Sequence, residues 1–463
     1  MYTNKLRVLT TTLSILFLLT FYVSNSQNNE SSSKELKHFT NLIASINSKI
    51  QSSELEYIDK NWKPEYEIMI LELFYFKVND ALLSNKLLKL LEKNTNQTFG
   101  YDFNAWYQWI WNKEENLIPE YHKFKAEMHA NIDYHFSKYF ANRQEDSQRT
   151  IRLDEIRWGG VLQDGIPPLR SPKMTTAVQA TYLDDDNVVF GIEVNGQFRA
   201  YPKRILAWHE MFTDTIGGIE VAGVYCTLCG TVILYKTEHN GVKYKIGTSG
   251  FLYRSNKLMY DEKTQSLWNT LWGKPVVGPL VGKGIELEYL SVVTTTWGDW
   301  KKRHPKTKVL DINTGFKRNY NEGIAYQNYF ATDDLMFNVP KVDTKLKNKQ
   351  SILAIRFPES QENPLAISVK YLKKHAIYQD KIGDHKFVVF TDKTGANRVF
   401  EAGEILFLKY DKINTATDNK GQEWTVYEDR LEDNNGTVLK RINTFNAFWF
   451  GWKASYPKTR LVK

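Results

Sequence analysis

The chain has 463 residues, 42% of them apolar and 14% aromatic, with a formal net charge of +8. That length exceeds one ordinary core, so two or three domains of roughly 100 to 200 residues are expected, and the composition excludes extended disorder. The 61 basic residues are interleaved with 53 acidic ones, which favours solubility and excludes the clustered footprint of a nucleic-acid binder.

Residues 1–26 read as a signal peptide. Lys5 and Arg7 precede an apolar run from Val8 to Val23, and Ser24-Asn25-Ser26 offers a cleavage site before Gln27. The run is shorter than the roughly 20 residues of a spanning helix, so no stable membrane span is expected after cleavage. The expected destination is the periplasm or the extracellular space. Asn28 to Ser33 then reads as a linker.

Residues 34–150 carry apolar positions at three and four spacing, as in Ile70-Leu73-Phe74-Val78 and Leu83-Leu87-Leu90-Leu91, with almost no Gly or Pro. This predicts a helical N-terminal domain. Its aromatic run, Phe99, Tyr101, Phe103, Trp106, Tyr107, Trp109 and Trp111, reads as a docking face, with a carbohydrate-stacking platform as the functional alternative. His122, His129 and His135 do not have the three or four spacing of ligands on one helix, so they are read as packing or surface residues.

From Ile151 the composition changes. Gly159, Gly160, Gly165 and Pro167-Pro168 mark a boundary, and short alternating segments follow, with Asn195-Gly196 as a two-residue hairpin turn. The expected fold class is α+β, a helical N-terminal domain followed by an internally duplicated, strand-rich, two-lobed domain at 151–335 and 336–463. The duplication is read from Trp208-His209-Glu210-Met211-Phe212-Thr213-Asp214 against Lys374-His375-Ala376-Ile377-Tyr378-Gln379-Asp380. Trp297-Gly298-Asp299-Trp300 and Phe450-Gly451-Trp452 match in the same way, each followed by a Pro-Lys-Thr phrase.

The two cysteines stand together in Cys226-Thr227-Leu228-Cys229-Gly230, while the second copy reads Thr391-Asp392-Lys393-Thr394-Gly395. Residues shared by both copies are candidates for fold, and those in one copy are candidates for chemistry. Two thiols at this spacing bind a metal, cycle between dithiol and disulfide, or form an inert pair. The flanking segments are β-type, so no helix N-terminus activates the first thiol. A glycine corner between strands is instead the shape of a metal knuckle, whose backbone N–H groups point at sulfur.

The expectation is therefore a transition metal, copper, iron or zinc, on Cys226 and Cys229 with His209 and Met259 completing the set; His304 is a further candidate. The alternatives are a periplasmic thiol-disulfide oxidoreductase and a non-catalytic carbohydrate or protein binding module. Arg254, Ser255 and Asn256 are candidate donors to a small ligand, with a plain turn between strands as the simpler reading.

Asp164-Gly165-Ile166-Pro167-Pro168-Leu169, Trp208-His209-Glu210, Tyr225 to Gly230 and Ser249 to Asn256 together resemble the family catalogued as domain of unknown function 3179 (DUF3179). The resemblance runs from about Asp154 to the C-terminus and implies an exported bacterial protein with no established activity. Thr227 departs from the family's usual proline, which bears on the rigidity of the turn.

Overall fold

A computed structural model describes residues 34–140, 148–358 and 363–463. The signal peptide and linker expectations lie outside these residues. Among the described residues no helix is long and apolar enough to cross a membrane. The architecture is α+β: helices first, then strand-rich sheets. The described residues divide into two compact units, one of residues 34–101 with 116–128 and one of residues 102–115 with the described residues from 129 onward.

The first unit is helical, built on Lys34–Ala44, Ser48–Lys60, Tyr66–Phe76, Ala81–Thr95 and most of Tyr121–Ala130. Local chemistry sets the ends. Asn47 accepts the N–H groups of Lys49 and Ile50, Asp80 accepts that of Leu83, and Asn96 closes its helix in the left-handed conformation. The predicted apolar faces are buried at Ile70, Leu73, Phe74, Leu83, Leu87, Leu90 and Leu91, whereas Val78 lies beyond its helix and is exposed. Lys125 and Glu72 pair at 2.6 Å in the interior. Removing either would strand the other charge away from water.

The second unit begins with the helix Phe103–Trp111, which buries Trp106, Tyr107 and Trp111. Trp111 donates from Nε1 to Asp154 O at 3.1 Å, and the Arg157 guanidinium stacks 4.1 Å from the Tyr107 ring centroid. These aromatics are consumed in packing.

Two sheets of this unit share one topology. In the first, Val293–Thr296, Val188–Val194, Gln197–Pro202, Lys308–Leu310 and Met174–Thr176 lie in that order, with 308–310 parallel to 197–202. In the other, Phe445–Phe448, Ser351–Ile355, Leu365–Ser368 and Arg460–Val462 follow the order of the first four of these, again with the fourth strand parallel to the third. Asn195 and Gly196, at φ 49° and 77°, form the predicted hairpin, with Val194 opposite Gln197.

Each sheet feeds a short helix whose tryptophan makes the same bond: Trp300 Nε1 to Thr307 Oγ1 at 3.0 Å, and Trp452 Nε1 to Thr459 Oγ1 at 2.9 Å. Trp268 and Trp424 likewise donate to Asp261 and Asp418, at 3.1 and 3.2 Å. Two antiparallel meanders follow, one of Met211–Ile216 with Ile219–Cys226 and Thr231–Lys236, the other of Ile377–Ile382 with His385–Thr391 and Asn397–Glu401.

Candidate functional site

The Cys-x-x-Cys turn joins the strands Ile219–Cys226 and Thr231–Lys236, with Cys226 paired opposite Thr231. Gly230 takes φ +58°, and a side chain there would collide with the Phe448 ring 2.6 Å away, so this corner needs glycine on two grounds. The bend is also tied to the strand Phe445–Phe448, since the Phe448 N–H donates to Cys229 O at 2.7 Å.

The expected N–H to sulfur pattern of a metal knuckle is replaced by an ordinary turn. Cys229 N–H goes to Cys226 O at 3.2 Å and Gly230 N–H to Thr227 O at 3.4 Å. Stabilisation of sulfur comes from another element, the strand Asn256–Asp261, whose Lys257 offers both its backbone N–H and its cation to Cys226.

Both thiols are free and buried. Burial opposes a charge on Cys226. The Cys229 thiol, the Lys257 N–H and the Lys257 ammonium outweigh it, holding Cys226 below the ordinary thiol value. Burial and the neighbouring Cys226 sulfur push Cys229 well above that value. The Cys229 proton has a second acceptor, Ser255 O at 3.1 Å. The pair is thus asymmetric, one sulfur disposed to ionise and the other to keep its hydrogen.

Beneath the sulfurs lies a buried polar group absent from the sequence-based site. Glu210 caps the helix Lys203–His209 in the left-handed conformation, φ 55°, which a non-glycine residue rarely adopts. Its Oε1 accepts the hydroxyls of Thr227 and Tyr326, each at 2.7 Å, and its Oε2 pairs with Lys257. Thr227 thereby gives the turn a bond to Glu210. In the similar phrase Lys374-His375-Ala376-Ile377, the place of Glu210 is taken by Ala376.

Glu210, Cys226, Thr227, Lys257 and Tyr326 share the wall of a cavity of about 60 Å³ with Ile166, Phe251, Leu252 and Phe337. The helix Gln327–Ala331 covers the turn, and Tyr329 donates to Leu228 O at 2.8 Å.

Of the predicted metal ligands, Cys226 and Cys229 come together. His209 turns Nδ1 to Pro167 O at 2.9 Å and Nε2 to Tyr320 Oη at 2.5 Å, and burial holds its imidazole below the ordinary value, favouring the neutral ring. Met259 packs with Val224, Ile233 and Trp268, in a different part of the core from the sulfurs. His304 stacks on Phe198 and reaches Glu428 at 3.1 Å. Among the described residues no group of three or more His, Cys, Asp and Glu side chains is placed to hold a metal ion.

Arg254 and Ser255 form the turn between Ile246–Tyr253 and Asn256–Asp261, both at positive φ. The Arg254 guanidinium grips Glu155 at 2.5 and 3.1 Å and Ala454 O at 2.9 Å. Ser255 presents its carbonyl to Cys229, while Ser255 Oγ and both polar atoms of Asn256 are buried without a hydrogen-bond partner among the described residues. His122 and His135 are bonded to Pro119 O and Asp133 Oδ1, and His129 is buried, with its ring 4.9 Å from that of Phe251.

No curated protein and no solved structure matches the chain. A family model described as "Protein of unknown function (DUF3179)" matches residues 163–459, a span that contains the thiol turn, Glu210, Lys257 and Tyr326. The chain belongs to the DUF3179 family.

Proposed function

We propose that this chain is an exported thiol redox protein in which Cys226 and Cys229 cycle between dithiol and disulfide. The observation that carries the reading is the Lys257 cation, buried against Glu210 and beside Cys226. A thiolate is the nucleophile in sulfur exchange, and a neighbouring cation that favours it in a dry site does what a helix N-terminus does in other dithiol proteins. Cys226 is the attacking thiol. Cys229, which retains its proton, is the resolving thiol that closes the disulfide.

The internal duplication belongs to the same reading. Matching strand orders and the paired Trp–Thr and Trp–Asp bonds support a repeated unit in which one copy keeps scaffold bonds and the other adds the sulfurs, Glu210 and Lys257. The second copy then serves as a support, through Phe448 behind Gly230.

The test is equilibration of the full chain in dithiothreitol buffers of graded potential, followed by alkylation and mass measurement. A reversible two-electron couple confined to Cys226 and Cys229 is expected. Thiols that stay reduced or oxidise irreversibly would refute it. Metal capture by the same sulfurs is the competing outcome, and a soft ion held by the two thiolates alone is its remaining form. Stoichiometric metal retained by reduced protein and lost in Cys226→Ser would favour capture.

A further inference from the structure

Access to the sulfurs restricts what they can meet. Cys226 is 1% exposed and Cys229 0%. The cavity that reaches Cys226 measures about 60 Å³, and its polar wall is formed by Glu210, Thr227, Lys257 and Tyr326. A single water needs about 10 to 15 Å³ of such space, so the cavity admits a small molecule. A wider hollow of about 410 Å³ shares Val161, Ile166 and Tyr326 with it. With Cys226 almost fully buried behind so small a space, a compact oxidant reaches the sulfur more readily than a polypeptide disulfide, which must bring its Cβ atoms and backbone in line with it.

We infer that the oxidant of this dithiol is a small hydroperoxide, hydrogen peroxide foremost, admitted to the cavity beside Lys257. The inference rests on the thiol redox reading above. In the first step the Cys226 thiolate attacks one peroxide oxygen. The S–O bond forms as the O–O bond breaks, and the departing oxygen leaves with the bonding pair and takes a proton from Lys257 to become water. Cys226 is now a sulfenic acid, oxidised by two electrons, and the peroxide is reduced by two. In the second step Cys229 attacks the sulfenic sulfur. The S–S bond forms, the S–O bond breaks, and the leaving hydroxide takes the Cys229 proton as a second water.

The wall is suited to this chemistry. The Lys257 cation faces the point where charge gathers on the leaving oxygen, and Glu210 keeps it there. Lys257 recovers its proton from solvent. Apart from Thr248 the remaining wall is apolar, with Phe251, Leu252 and Phe337 among it, and offers a charged oxidant little to bind.

The reduced full chain is mixed with hydrogen peroxide, cumene hydroperoxide or glutathione disulfide, and thiols are counted over time. Hydrogen peroxide is expected to react about 100-fold or more faster than free cysteine at the same pH. It should consume one peroxide per chain, give the Cys226–Cys229 disulfide, and outpace both larger oxidants. Cys229→Ser should halt at a sulfenic acid trapped by dimedone, and Lys257→Met should slow the peroxide step at least about tenfold. Should Cys229→Ser fail to fold, the same adduct is sought in wild-type protein quenched early. A reversible couple in dithiothreitol buffers with peroxide reacting at the free-cysteine rate, or with glutathione disulfide reacting faster, overturns this inference and leaves the redox reading standing. Absence of any couple removes both.

Discussion

Glu210 and Lys257 form an ion pair in the interior, each less than a tenth exposed, on the wall of the cavity that Cys226 also lines. A buried pair of this kind adds little stability over an apolar replacement, but breaking it strands a charge. Lys257→Met is therefore expected to destabilise the protein by about 3 to 5 kcal/mol, with Glu210→Gln costing a similar amount. The double variant should recover most of the loss. Chemical denaturation of the three variants measures this, and strict additivity would mean that the two groups do not act as a pair.

The Thr227 hydroxyl should matter in spite of its small size. Thr227→Val keeps the shape and removes the donor to Glu210, and a loss of about 1 to 3 kcal/mol is expected. Thr227→Ser, which retains the hydroxyl, should stay within about 1 kcal/mol of wild type. Equal losses in the two variants would place the contribution in the methyl group.

Gly230 combines a left-handed φ with the Phe448 ring behind it. Gly230→Ala is expected to lower the melting temperature by an amount equivalent to at least about 2 kcal/mol, since strain and steric overlap add. Combining it with Phe448→Ala should relieve the overlap and leave the φ penalty. Calorimetry of both variants separates the two contributions.

Acid stability depends on Glu428. Burial opposes its charge, but Arg398, His304 and Arg303 prevail and hold the carboxyl well below the ordinary glutamate value. A folded-state value depressed in this way contributes stability that is fully present above the unfolded value of about 4.3 and is lost as pH falls through the folded value. Melting temperature followed from pH 7 downward should fall in that window. In Glu428→Gln the fall should be shallower and neutral stability lower by about 3 to 5 kcal/mol. An unchanged acid profile in the variant would assign the loss to other carboxylates.

Local signals were readable and remote ones were not. Asn195-Gly196 announced its hairpin because two adjacent positive φ values are demanded by the turn itself, and the thiol corner between β-type segments followed from its flanks. The Trp297 and Phe450 phrases were recognisable for the same reason, as their bonds to Thr307 and Thr459 span only one turn and a loop. The pairing of Glu210 with Lys257 depends on the strand Asn256–Asp261 passing beneath the turn, which no short window records. His209 is the ligand-type residue of its phrase, yet at the left-handed cap Glu210 takes its carboxylate to Thr227, Tyr326 and Lys257, while the imidazole meets Pro167 and Tyr320. Tyr326 was invisible, since it arrives from a long irregular segment with no periodicity.

The asymmetry of the two sulfurs is tested most directly by titrating thiolate absorbance near 240 nm in the reduced full chain, with Cys226→Ser/Cys229→Ser subtracted to remove the tyrosines. The account predicts one thiolate that appears below the ordinary thiol value of about 8.5 and is lost in Cys226→Ser, and a second that appears well above it. In Lys257→Met the first midpoint should rise. Two sulfurs titrating together at or above the ordinary value, or a first thiolate that survives in Cys226→Ser, would contradict it.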